Sequence, residues 1–403
     1  MKNTLGLTIS MLALGLTSAL PLQASESANS ITEALTGGKA DVALRYRAEY
    51  VDQDGPTREA KASTLKSRIT YKTLPIQGFS ATFEMDNVSV VFDDNYNDGS
   101  ATDSDPEAVV ADATYTEINQ GYLDYAAGNT IVRYGRQRIL LDNERFVGGV
   151  GWRQNEQTYD AFSIINNSLP ETTITIANVY NINRITGGNI DGNDHQIYHV
   201  LNESVKDLKL SAYYYDLKGE AGTAIASNLS TMGLRVNGKT AINDDLSLLY
   251  IAEYAEQEKD ASTQYDTEYL NLEAGITLAG ITAKLAYELQ SSDNGNTAFT
   301  TPLGTNHSFN GWADLFLSTP NTGLVDSAIT LSSAKLGPKI ALTYHQFDSD
   351  VNNIEFGNEI DLAISKKFTE NYSGLFKLAQ FDGKAEGGKP DTTKVWLQLE
   401  AKF

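Results

Sequence analysis

Apolar and polar residues alternate with a period of two through most of this sequence, most clearly in the last ten residues. Val395, Leu397 and Leu399 fall on one face of a predicted strand, whereas Lys394 and Glu400 fall on the other. Successive side chains of a strand point to opposite sides of the sheet. The pattern therefore predicts either a transmembrane wall with lipid outside and water inside, or a half-buried strand of a soluble sheet.

The same alternation divides the chain into about eighteen strands, whose connections alternate between short and long. Short connections are predicted near 73–77, 127–129, 167–170, 203–205, 239–243, 279–280, 335–337 and 369–371. Long connections are predicted at 51–62, 89–114, 139–157, 181–193, 217–227, 257–263, 291–323, 348–355 and 383–392. We therefore predict an all-β fold, a transmembrane antiparallel β-barrel of about 18 strands with short periplasmic turns and long extracellular loops.

The N-terminus has the features of a secretory signal peptide, with Lys2, an apolar run from Leu5 to Leu20 and a cleavage position after Ala24. The run is shorter than the ~20 apolar residues that a transmembrane helix requires. Export to the bacterial outer membrane is the predicted localisation. The predicted organisation is a signal peptide at 1–24, a polar N-terminal leader at 25–39 and the barrel at 40–403.

Composition narrows the possible functions. The net charge of −21 argues against nucleic acid as a partner, because nucleic-acid binding requires a basic surface. The chain has no cysteine, and the four histidines lack the spacing of a metal site except for the pair His195 and His199, which a predicted strand holds ~13 Å apart. We also find no hydrolase, phosphate-loop or dinucleotide motif. The sequence thus predicts that the protein is not an enzyme and has neither a cofactor nor a dedicated metal site.

Two further predictions concern partners. The acidic connection 89–114 is either a solvated surface loop or a place where Ca²⁺ binds loosely. The predicted macromolecular and lipid partners are lipopolysaccharide, outer-membrane lipid and the outer-membrane assembly machinery.

Arginine is concentrated in one short region. Five of the 11 arginines lie between positions 133 and 153, interleaved with the acidic residues Asp142 and Glu144. A guanidinium group offers a fixed fork of donors that fits carboxylate groups. The region is consistent with two roles that do not exclude each other, a filter for an anionic solute and a salt-bridge ladder that braces the barrel wall.

Three segments in and near this region carry a family resemblance. They are Tyr134-Gly135-Arg136-Gln137, Arg145-Phe146-Val147-Gly148 and Gly151-Trp152-Arg153-Gln154-Asn155, and they resemble the central motif of the alginate export family of outer-membrane porins. The resemblance implies an eighteen-stranded barrel with an electropositive constriction that passes a polyuronate or a related anionic saccharide. The resemblance also implies that the constriction is lined by Arg133, Arg136, Arg138, Arg145 and Arg153.

Strand alternation, rather than the motif, adds the candidates Arg45, Arg47, Lys66, Arg68 and Arg235. The chain is strongly acidic, however. Two alternatives to a selective saccharide channel therefore stay open, a weakly selective general porin and a receptor or structural barrel whose loops bind a partner.

Overall fold

A computed structural model describes residues 27–403 except 56, 221, 224 and 261–263. The predicted signal peptide lies outside the described residues. The elements within them are α1 Ile31–Thr36, β1 Lys39–Gln53, β2 Ala60–Lys72, β3 Phe79–Asn95, β4 Thr116–Ala127, β5 Thr130–Gln137, β6 Thr158–Asn166, β7 Thr172–Asn183, β8 Asn189–Asn202, β9 Leu208–Leu217, β10 Asn228–Ala241, β11 Leu246–Asp260, β12 Gln264–Leu278, β13 Ile281–Gln290, β14 Ser292–Asp293, β15 Thr297–Ala298, η1 Asn306–Ser308, β16 Leu324–Ser333, β17 Lys339–Asp348, β18 Glu355–Lys367, β19 Tyr372–Gly383 and β20 Thr392–Lys402.

Eighteen of these strands form one closed antiparallel barrel, while β14 and β15 make a separate short hairpin. Each barrel strand pairs with its neighbours along the barrel, and β1 closes the ring by pairing with β20 from Ala43↔Lys402 to Gln53↔Thr392. Closure leaves no free sheet edge, which is what a bilayer requires of a strand protein. The predicted fold is confirmed.

The barrel is apolar outside and polar inside. Leu397 and Leu399 on β20 are half exposed on the outer face, whereas Trp396, directly before Leu397, is fully buried in the interior. Leu234 and Leu285, among the most exposed leucines, also point outward. Period-two alternation thus places apolar side chains against lipid and polar ones in the lumen.

Connections on the side of the chain termini contain two to six residues, as predicted. The opposite side has three long loops, at 96–115, 138–157 and 291–323. Three of the long connections predicted there are wrong in extent. The connection predicted at 89–114 begins only at 96, that at 181–193 shrinks to 184–188, and β11 runs on to Asp260. The extensions of β7, β8 and β11 are mostly polar, whereas that of β3 carries Val90, Val91 and Phe92 in succession, so a clean two-residue alternation is lost in each.

The leader contains α1, which packs at the short-turn end of the barrel. Its N-cap is Ser30, whose side chain accepts the backbone N–H of Glu33. The Leu74 N–H donates to the Ala34 carbonyl at 3.1 Å, and the Ala28 N–H donates to Pro75 at 2.9 Å. Within the described residues, no helix is long and apolar enough to span a membrane.

Candidate functional site

The candidate site is the lumen, into which two long loops fold. We call residues 138–157 the first inward loop and residues 299–318 the second inward loop. They bind each other through backbone hydrogen bonds of 2.9 Å, from the Gly148 N–H to Leu303 and from the Thr305 N–H to Glu144. Glu144, a sequence candidate, reinforces the junction because its carboxylate accepts the Thr305 hydroxyl at 2.7 Å.

Apolar side chains from these loops fill part of the lumen. Phe146 of the first loop packs 5.1 Å from the ring of Tyr269 and 5.7 Å from the ring of Phe299. Leu303 and Tyr159 in the same cluster are fully buried. The sequence placed charged residues in the lumen but gave no sign of this apolar packing.

A second cluster collects all three tryptophans of the chain. Trp152 of the first loop lies 5.8 Å from Trp396 on β20, centroid to centroid. The Lys377 ammonium sits 3.7 Å from the ring centre of Trp312 and 4.1 Å from that of Trp152, and donates to Nε2 of His307 at 2.7 Å. Cation–π contact and this hydrogen bond together compensate the burial of the lysine.

Two sequence candidates anchor the inward loops and are buried. Arg145, 1% exposed, pairs with Glu288 at 2.6 Å and donates to Asn310 at 2.8 Å. Arg153, 5% exposed, donates to Glu49 on β1 at 2.9 Å and to Asp314 of the second loop at 3.1 Å. These contacts fit the bracing role.

Three further candidates are also held by other residues. Arg47 lies 4.1 Å over the ring of Trp152 and is 1% exposed. Arg235 pairs with Glu253, and both are buried. Asp142 ties the first loop to the wall by accepting the Ser211 hydroxyl at 2.5 Å and bonding to His199 at 2.8 Å.

A group of three basic and three acidic side chains lines the wall formed by β2 and β3. Its members are Lys66, Arg68, Arg138, Glu84, Asp86 and Glu156. Arg68 is held by Asp86 through two bonds of 2.6 and 2.7 Å, and Arg138 donates to Glu156 at 2.5 Å. Burial alone raises the pKa of Glu156, but Arg138 and Arg68 outweigh it and hold that pKa well below its ordinary value.

Arg133 and Arg45 extend this basic wall. Arg133 donates to both oxygens of Asp124, at 2.6 and 2.9 Å, and lies 3.9 Å over the ring of Tyr122. Arg45 donates to the Gln154 side chain at 2.8 Å and to backbone carbonyls of the first loop.

These side chains form a row along the barrel wall. Strand register places Arg45 level with Val88, Arg68 level with Asp86, and Arg133 level with Ser80, which faces its partner Asp124. The eight steps along β3 from Val88 to Ser80, at about 3.3 Å each, span roughly 26 Å of wall.

The row differs from the buried arginines in exposure. The side chains of Arg68, Arg133 and Arg138 are 16%, 19% and 22% exposed. Their carboxylate partners occupy Nε and Nη2, and Nη1 of each donates to none of the described residues. Each guanidinium therefore keeps donors that a solute can use.

Arg136 lies on the other face of the wall. It shares the outward face of β5 with Tyr134, which is 58% exposed, whereas Gln137 next to it is buried in the interior. It pairs with Asp160 at 2.8 Å. Arg136 is three positions from Arg133, an odd number, so the two-residue repeat of a strand places their side chains on opposite faces.

The sequence candidates did not include the carboxylates that hold the row. Glu84, Asp86 and Asp124 all lie on the polar face of their strands; Asp86 and Asp124 are opposite Arg68 and Arg133 of a neighbouring strand, whereas Glu84 is opposite Thr70. These carboxylates could have been predicted by aligning adjacent predicted strands as hairpins and looking for acidic residues near the basic ones. Glu156 is different, because it reaches the group only through the folding of the first loop.

Comparison with known proteins supports the fold and the family. The family model described as "Alginate export" matches residues 39–312. No curated protein matches the sequence.

Solved structures with the same fold are only distantly related in sequence. OccAB3 of Acinetobacter baumannii has 14% identity and a TM-score of 0.72, covering 91% of this chain and 100% of its own. OccK9 (OpdG) of Pseudomonas aeruginosa has 9% identity and a TM-score of 0.72, covering 92% and 100%. OccAB4 of A. baumannii has 11% identity and a TM-score of 0.70, covering 91% and 98%.

The likeness to these structures concerns the fold, whereas the family match covers more than half of the sequence. The chain therefore belongs to the alginate export family and is an outer-membrane, porin-like β-barrel.

Proposed function

We propose that the barrel passes anionic saccharides, such as alginate or uronate oligomers, along the row of partly exposed arginines. The observation that carries this proposal is the free Nη1 of Arg68, Arg133 and Arg138. A carboxylate on each sugar unit accepts hydrogen bonds from guanidinium groups, which are stronger than bonds between neutral groups.

The carboxylates beside the arginines have a positioning role in this proposal. Asp124, Asp86 and Glu156 fix the guanidinium groups through Nε and Nη2 and leave the remaining edge toward the solute. They also reduce the net charge of the wall, so a passing anion is bound weakly enough to leave. A channel requires both entry and release.

The weakly selective porin is the alternative, and one observation favours it. The basic group on β2 and β3 is balanced, with three cations and three carboxylates, in a chain of net charge −21. The remaining alternative, a receptor or structural barrel, predicts that small sugars do not pass through the lumen.

Arg133 offers the cleanest test because it pairs with one carboxylate. The double variant Arg133→Gln/Asp124→Asn removes a charge pair without leaving a charge unpaired. Its matched control is Lys284→Gln/Glu273→Gln on the other side of the lumen, a 2.6 Å pair with 16% exposure of each side chain.

Single-channel recordings with and without uronate oligomers provide the measurement. We expect anion preference and block by the oligomers in the wild type, and a block weakened about tenfold in the Arg133 double variant, the equivalent of one charge-assisted hydrogen bond. The control keeps the wild-type block. Cation preference with no oligomer block supports the general porin, and liposomes impermeable to small sugars support the receptor.

A further inference from the structure

The short leader helix α1 leaves most of its apolar surface uncovered. Ile31 is 71% exposed and Leu35 is 55% exposed, whereas Ala34 between them in the chain is buried. Residues four positions apart lie on the same face of a helix, so the two exposed side chains form one small apolar patch. In water, the free energy that burial of these side chains provides is not gained.

Hydrogen bonds fix this patch to the barrel beside the turn between β2 and β3. The Leu74 N–H of that turn donates into the helix at 3.1 Å, and the Tyr71 hydroxyl at the end of β2 donates to the Leu35 carbonyl. Glu33, the one acidic residue of α1, accepts the Asn29 N–H at 2.7 Å. The helix is therefore held at both ends, and its carboxylate is turned back towards its own N-terminus.

Tyr71 shows on which side of the wall the patch lies. It shares the outward face of β2 with Ile69, which is 48% exposed, and it pairs with Phe83 of β3, which is 45% exposed. Arg68 lies at an odd offset from Tyr71 and faces the lumen. Because Tyr71 reaches the Leu35 carbonyl from the outward face, the patch lies beside the outer wall of the barrel.

Exposed aromatic side chains flank Tyr71 on both sides at the short-turn end of the wall. Phe79 and Tyr125 are 53% and 42% exposed, with ring centroids 4.6 Å apart. Phe403 and Tyr372 are 58% and 48% exposed, with ring centroids 5.9 Å apart. Such aromatic belts lie at the level of the lipid headgroups. Since the short turns of an outer-membrane barrel face the periplasm, this belt marks the inner leaflet.

We propose that α1 is an interfacial anchor whose Ile31 and Leu35 side chains insert into the inner leaflet of the outer membrane. Helices that lie on a membrane bury their apolar face about 5–10 Å into the boundary between headgroups and acyl chains. Although α1 has only six residues, it is already fixed to the barrel, so insertion does not have to compensate for a loss of translational freedom. The lipid-facing surface of the barrel thus continues onto the leader, and a leader held there cannot fold into the lumen.

The chain has no native cysteine, which permits a site-specific test. Ile31→Cys and Leu35→Cys each carry the same small fluorophore, and the full barrel is reconstituted into liposomes that contain no other protein. Quenching by iodide, present on both sides of the membrane, is compared with quenching by lipids that carry a nitroxide near the headgroup or in the middle of the acyl chain. The controls are Leu285→Cys on the lipid-facing belt, Thr36→Cys on another face of α1 and Asp244→Cys, exposed in the turn between β10 and β11. The shifted electrophoretic mobility of the unheated barrel verifies that each variant is folded.

We expect the labels at Ile31 and Leu35 to lose most of the iodide quenching that the labels at Thr36 and Asp244 show. They are quenched more by the nitroxide near the headgroup than by the one in mid-chain, because an anchor of this kind stays at the interface, whereas the label at Leu285 shows the reverse order. Iodide quenching as strong as at Asp244 overturns the proposal, because the patch then lies in water and is free for a protein partner. Protection from iodide without quenching by either lipid also overturns it, because the patch is then packed against protein.

Discussion

Replacing Arg153 by Met is expected to release the first inward loop from the wall. Among the described residues, Glu49 on β1 hydrogen-bonds to Arg153 alone, and the Glu49 side chain is fully buried. Methionine keeps much of the side-chain volume but leaves Glu49 buried and unpaired. Asp314 still has Lys394 at 2.8 Å and His307 at 2.5 Å.

The size of the effect follows from that burial. Removing one partner of a buried ion pair costs about 3–5 kcal/mol, because the remaining charge stays without compensation. At about 1.4 kcal/mol per factor of ten, the equilibrium between the docked and the detached loop shifts by roughly two to three and a half powers of ten. Arg153→Met/Glu49→Gln is expected to recover a large part of this loss, since it removes the uncompensated charge.

Intrinsic fluorescence is the appropriate assay. The three tryptophans of the chain, Trp152, Trp312 and Trp396, all lie beside the inward loops, so their emission reports on loop docking in a urea titration. Lys284→Met is the control, because its partner Glu273 is partly exposed and such pairs contribute about 0–1 kcal/mol. A shift below about 1 kcal/mol for Arg153→Met, or equal shifts in both variants, refutes the reasoning.

Three further predictions concern the loops and the outer face. Burial holds the pKa of His307 well below its ordinary 6.5, although Asp314 opposes the shift. The detached loop therefore takes up a proton below pH 6.5 that the docked loop does not, and docking measured by fluorescence weakens as pH falls below that value; His307→Gln is expected to flatten this slope. Glu144→Ala breaks the junction of the two loops and is expected to cost about 1–3 kcal/mol in the same titration. Leu285→Lys on the lipid face, 60% exposed, is expected to cost about 2–4 kcal/mol in unfolding from liposomes, whereas Leu336→Lys in a short-side turn changes little.

Alignment of adjacent strands as hairpins shows which contacts of the site could have been predicted from the sequence. Lys66 and Arg68 were candidates, and the register Arg68↔Asp86 places a carboxylate opposite. That contact lies between adjacent strands, so the alternation pattern and a short turn are sufficient to predict it. The contact between Arg153 and Glu49 spans 104 positions, and no local pattern encodes it.

The sequence by itself determined the barrel, its strand number, the face that each strand turns to lipid, and the polarity of the lumen. These properties follow from the two-residue repeat of a strand and from the bilayer, both of which act on every residue locally. The tertiary structure alone decided which arginines remain accessible to a solute in the lumen. The inward folding of 138–157 buried Arg145 and Arg153, and strand parity turned Arg136 outward. It left Arg68, Arg133 and Arg138 partly exposed, because exposure depends on packing between residues that are distant in the chain.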